Sequence, residues 1–123
     1  MRRLVAAVAV TLISPLVLSA CGSDTSSSDQ DGADQPVKKI AITFQGEDVT
    51  PNGSDIDVKV GQPIELDVTA DEPGEIHVHS TPEQEFEYDA GSSTIDMKPI
   101  EAPGRVTVES HTLEKTLFIL VAR

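Results

Sequence analysis

From Val37 onward, apolar and polar side chains exchange places at almost every step. Ile40, Ile42 and Phe44 alternate with Lys39, Ala41 and Thr43, and Ile56, Val58 and Val60 with Asp55, Asp57 and Lys59. Ile64, Leu66 and Val68 alternate with Glu65, Asp67 and Thr69, and shorter runs repeat the pattern at Ile76–Val78 and Val106–Val108. A period of two sets one face of a strand on a core and the other in water. Leu117-Phe118-Ile119-Leu120-Val121 is apolar throughout and reads as a strand buried on both sides. A weaker strand is expected around Ile95-Asp96-Met97, while Glu85-Phe86-Glu87-Tyr88 reads as a short strand or a loop. The breaks carry turn chemistry: Pro51-Asn52-Gly53-Ser54, Gly61-Gln62-Pro63, Asp71-Glu72-Pro73-Gly74, Ala90-Gly91-Ser92-Ser93 and Ala102-Pro103-Gly104. Short strands at this spacing predict an antiparallel sandwich or a small barrel.

Composition sharpens that picture. Three Phe, one Tyr and no Trp leave a core built mainly of Val, Ile and Leu. Lys and Arg number 9 against 21 Asp and Glu, for a formal charge of −12. Such a surface repels phosphate backbones and anionic headgroups, so nucleic acid is not an expected partner. Cys21 is the sole cysteine, which excludes a disulfide within the chain.

The first twenty residues have a different character. Met1-Arg2-Arg3 is positive, Leu4 to Leu18 is apolar apart from Thr11, Ser14 and Pro15, and the small residues Ser19 and Ala20 follow. The apolar run is short for a membrane span and reads as an export signal. Leu18-Ser19-Ala20-Cys21 resembles the lipobox of bacterial lipoproteins. That resemblance implies cleavage before Cys21, a lipid (diacylglycerol and palmitate) on its sulfur and amine, and anchorage on the extracytoplasmic face of the cell membrane. Loss of Arg2 and Arg3 with the signal takes the charge from −12 to −14. Gly22 to Pro36 has no large apolar residue and is expected to be a disordered tether, with a mean reach of roughly 20 Å. The expected divisions are therefore a signal at 1–20, a lipidated cysteine and tether at 21–36, and one domain at 37–123.

Within that domain the order of pieces resembles a cupredoxin. Thr50-Pro51 followed by Ile56-Asp57-Val58-Lys59-Val60-Gly61-Gln62-Pro63-Ile64-Glu65-Leu66 matches the early half of that family's frame. Pro103-Gly104-Arg105-Val106-Thr107-Val108-Glu109-Ser110 matches the late half, with valines in place of aromatics. The resemblance implies an all-β, cupredoxin-like antiparallel Greek-key β-sandwich of about seven strands. It also implies a departure in chemistry. Ser110 stands where the family carries its copper-ligating cysteine, and Leu113-Glu114-Lys115 offers no axial methionine. A blue-copper centre depends on that thiolate, so electron transfer by such a site is not expected.

Three histidines remain. His77 and His79 lie two apart on an expected strand, hence on one face and about 6–7 Å apart. Glu75 shares that face, and His111 follows the late strand. His77, His79, His111 and Glu75 are accordingly candidate ligands for Cu(II) or Zn(II). The alternative is that they are solvent-facing polar residues of a strand, or groups that sense pH. Ser110 and His111 are adjacent and would point to opposite faces, so they make no nucleophile–base pair. No enzymatic activity is expected. Phe86 and Tyr88, rimmed by acids, are candidate interface residues for another envelope protein, or else pack over an open edge of the sandwich. A binding or scaffolding role is the expectation, with metal delivery or buffering as the alternative.

Overall fold

The computed structural model describes residues 35–123, so the signal, the lipobox with Cys21 and most of the tether lie outside the described residues. The described chain is all β, with nine strands: β1 (Lys38–Gln45), β2 (Asp48–Thr50), β3 (Ser54–Val58), β4 (Ile64–Ala70), β5 (Gly74–Val78), β6 (Gln84–Tyr88), β7 (Gly91–Met97), β8 (Gly104–Ser110) and β9 (Lys115–Ala122). One sheet runs β2-β1-β4-β7 and the other β3-β9-β8-β5-β6. Gln35 and Pro36, expected in the tether, already bond to the domain: Gln35 Nε2 donates to the Val60 carbonyl at 3.2 Å, and Gln62 Nε2 donates to the Pro36 carbonyl at 2.9 Å.

The alternating residues do what their spacing requires. Ile40, Ile42 and Phe44 of β1 face Ile76 and Val78 of β5, Val106 and Val108 of β8, and Phe118 and Leu120 of β9 across one continuous core. Burial of these side chains is the main stabilising contribution, at about 1.5–3 kcal/mol for each large aliphatic or aromatic group.

Three details differ from the sequence expectation. There are nine strands rather than about seven. β2 is only three residues long, too short for a period to register, and β7 starts at Gly91, inside what reads as a turn. β7 is an edge strand, so its first residues need no apolar face. The sheets are also mixed rather than purely antiparallel: β1 pairs with β4 in parallel, and β3 with β9. Consecutive strands repeatedly change sheet, and neighbours within a sheet are then free to run in the same direction. Finally, β9 is not buried on both sides. Phe118, Leu120 and Ala122 face the core, whereas Ile119 and Val121 are half-buried on the outer face. Leu117 is left without a partner where the β8–β9 register slips between Val108 and Glu109, and this bulge lets Leu117 and Phe118 both be fully buried.

Candidate metal centre

The end of the sandwich where the cupredoxin resemblance places a cysteine ligand is filled. Ser110 closes β8 on the inner face and is 0% exposed. Its hydroxyl accepts a hydrogen bond from the Leu113 amide at 3.2 Å. Tyr88 is 7% exposed, and its ring stacks on Phe44 with centroids 4.9 Å apart. Burial pushes the Tyr88 phenol above its usual pKa, and a hydrogen bond with Ser110 partly offsets this. Of the two roles open to Phe86 and Tyr88, the geometry matches packing: Tyr88 is buried and Phe86 is half-buried against the core.

The histidines lie elsewhere, on the outer face of the five-stranded sheet. In β5, Ile76 and Val78 are fully buried, which turns Glu75, His77 and His79 outward as the period requires. β5 is flanked by β8 and β6, and His77 stands between Glu109 on one side and Glu85 on the other. The rings of His77 and His79 are closer than strand spacing alone implies, with centroids 4.5 Å apart.

A carboxylate closes the group. Glu83, one residue before β6, places Oε2 3.5 Å from His77 Nε2 and Oε1 3.6 Å from His79 Nδ1. Ligand atoms of His77, His79 and Glu83 all lie within 4.8 Å of one another. The 3.5 and 3.6 Å separations are too long for good hydrogen bonds. Donors about 2.0–2.2 Å from a tetrahedral ion stand about 3.4 Å apart, whereas a square-planar ion draws adjacent donors to about 2.9 Å. The 3.5 Å gap from His77 Nε2 to Glu83 Oε2 has about the dimension of a tetrahedral edge, and the 3.6 Å gap from His79 Nδ1 ends on the other carboxylate oxygen. His77 Nε2 is buried and makes no hydrogen bond; besides Glu83, its nearest carboxylate oxygen is Glu85 Oε1, at 3.8 Å. Leaving such a nitrogen unsatisfied costs about 1–3 kcal/mol.

On the opposite side of His79, Nε2 bonds Glu109 Oε2 at 3.0 Å. That bond, foremost, holds the His79 pKa above the usual imidazole value against partial desolvation. His111 and Glu75 are set apart from this group. They face each other across β8 and β5, joined by a backbone bond from His111 N to Glu75 O at 3.0 Å and a side-chain bond from Nδ1 to Oε1 at 2.9 Å. The His111 ring is 6.3 Å from that of His77 and its side chain is 70% exposed. Of the four candidate ligands, two therefore converge, and the carboxylate that joins them is Glu83 rather than Glu75. Glu83 was not legible as a ligand because it depends on the β5–β6 hairpin register. Val78 pairs with Gln84, which brings the next residues outward, His79 and Glu83, together.

No protein-family model matches the chain. No curated protein matches it either. Among solved structures it is similar to a multicopper oxidase from Pediococcus acidilactici, with a TM-score of 0.53 and 13% identity over 74% of this chain and 27% of that one. It is also similar to the multicopper oxidase mgLAC, with a TM-score of 0.51 and 17% identity over 71% of this chain and 39% of that one. A methionine-to-alanine variant of amicyanin in its Cu(I) form gives a TM-score of 0.50 and 10% identity over 69% of this chain and 82% of that one. The chain thus spans only 27% and 39% of the lengths of the two oxidases. At these identities the likeness establishes the fold alone, which is cupredoxin-like.

Proposed function

We propose that this chain is a lipid-anchored protein on the extracytoplasmic face of a bacterial membrane, whose cupredoxin-like domain binds a divalent transition metal and buffers or delivers it without catalysing a reaction. The observation that carries this reading is the convergence of His77, His79 and Glu83 around a buried, unbonded imidazole nitrogen. Two imidazoles and a carboxylate form a borderline-hard donor set with no sulfur, suited to Zn(II) or Cu(II) rather than Cu(I). His79 is 40% exposed at its side chain, so an ion held there has direct access to solvent and can exchange. The copper of the similar structures gives no warrant where the resemblance places its cysteine ligand, because a buried Ser110 stands there. A docking role draws no support from Phe86 and Tyr88, which pack inward.

Calorimetric titration of the chain with Zn(II) and Cu(II), in parallel with a variant carrying His77→Ala and His79→Ala, tests the metal reading. One equivalent bound well below millimolar, and lost in the variant, is the expected result. Binding weaker than ~1 mM, or unchanged by the substitutions, contradicts it. Anchorage is tested separately by mass spectrometry of the amino-terminal peptide: a lipid on Cys21 is expected, and an unmodified thiol refutes it.

A further inference from the structure

Glu109 is not among the three residues that converge, yet it fixes which atoms of the group are free to bind. An ionised carboxylate only accepts hydrogen bonds, so the 3.0 Å bond between His79 Nε2 and Glu109 Oε2 requires the proton on Nε2. In the neutral ring Nδ1 then carries the lone pair, and Nδ1 is the atom 3.6 Å from Glu83 Oε1. Glu109 is itself held. Thr116 Oγ1 donates to its Oε1 at 3.4 Å, and the β8–β9 register slip falls at Val108/Glu109. By strand pairing Glu109 lies opposite His77, but its carboxylate reaches diagonally to His79.

Resting on the metal reading above, we propose that Glu109 is a positioning residue for a zinc site: it locks the His79 ring with its Nε2–H turned away, so that the ion is taken by His79 Nδ1, His77 Nε2 and the Glu83 carboxylate. Metal-bound histidines commonly give their second ring nitrogen to a carboxylate, and removing such a partner costs about 10–100-fold in affinity. The arrangement also separates the roles of the carboxylates. Glu83 lies beside His77 Nε2 and His79 Nδ1, Glu109 accepts from His79 Nε2, and Glu75 is occupied with His111.

The test uses the full chain in mild detergent with ¹⁵N-labelled histidine, which gives only three imidazole spin systems. With Zn(II) added, the His79 Nδ1 resonance is expected to move to the metal-bound range while Nε2 keeps its proton. Glu109→Gln should weaken Zn(II) binding about 10–100-fold and abolish that fixed Nε2–H signature. Metallation of His79 at Nε2 overturns the proposal. So does a Glu109→Gln variant that binds Zn(II) within twofold of the parent, and if His77→Ala with His79→Ala still removes binding, the metal reading survives that failure. Absence of zinc binding by the parent chain overturns both.

Discussion

A single methyl group at Gly74 probes how the sandwich closes around Tyr88 and Ser110. Gly74 opens β5 directly opposite Tyr88 of β6. A Cβ at Gly74 would lie 2.7 Å from Tyr88 Cζ and 3.0 Å from Thr112 Oγ1, and closer still to the phenolic oxygen. Carbon atoms settle about 3.5–4.0 Å apart, so the ring must retreat by nearly 1 Å. It has nowhere to go, since Phe44 stacks on it and Ser110 holds its hydroxyl. Overpacking of this kind costs about 1–3 kcal/mol. With a urea slope near 1 kcal/mol per molar for so small a domain, Gly74→Ala should lower the unfolding midpoint by about 1–3 M. Tyr88 is the sole tyrosine in a chain without tryptophan, so its own fluorescence reports the transition. Adding Tyr88→Phe removes the closest contact and should recover part of the loss, giving a coupling of roughly 0.5–3 kcal/mol in a double-mutant cycle followed by far-ultraviolet circular dichroism, since the Tyr88→Phe variants have no tyrosine. A Gly74→Ala midpoint within ~0.2 M of the parent would refute the wedged placement of Tyr88.

Other expectations follow from the same packing and charges. Phe118→Ala empties the fully buried centre of β9 and should cost about 3–5 kcal/mol in chemical denaturation. The folded-state pKa of His79 is raised, chiefly by its bond to Glu109. Its contribution to stability is therefore complete below the unfolded pKa of ~6.5 and is lost as pH rises through the higher folded value. Because the pair is largely exposed, melting between pH 5.5 and 8.5 should reveal less than ~1 kcal/mol of this, and less again in Glu109→Gln, where Glu83 alone still raises the pKa. Zn(II) at a hundredfold excess over its dissociation constant should stabilise the domain by about 2.7 kcal/mol, and the gain should vanish with His77→Ala.

Much of the architecture was legible because the core obeys a period of two. Ile40, Ile42, Ile64, Leu66, Ile76 and Val108 all face inward where alternation puts them. What escaped was information that no local window contains. β2 and the first half of β7 are strands through their partners, β1 and β4, rather than through their own residues. The parallel pairing of β1 with β4 follows from crossings between sheets, which leave no trace in either strand. The same division runs through the site. Intrastrand spacing put His77 and His79 on one face, but cross-strand register selected Glu83 over Glu75 and gave His111 a different partner. The role of Glu109 was not visible, because its carboxylate reaches diagonally from the position opposite His77 to His79, which only the pairing of β5 with β8 sets.

The most direct measurement is anomalous diffraction at the zinc edge from crystals grown with Zn(II). One peak is expected on the outer face of the five-stranded sheet, within ~2.0–2.2 Å of His77 Nε2, His79 Nδ1 and a Glu83 carboxylate oxygen. Zinc bound instead by His111 and Glu75, or no peak at these histidines, would contradict the assignment of the centre.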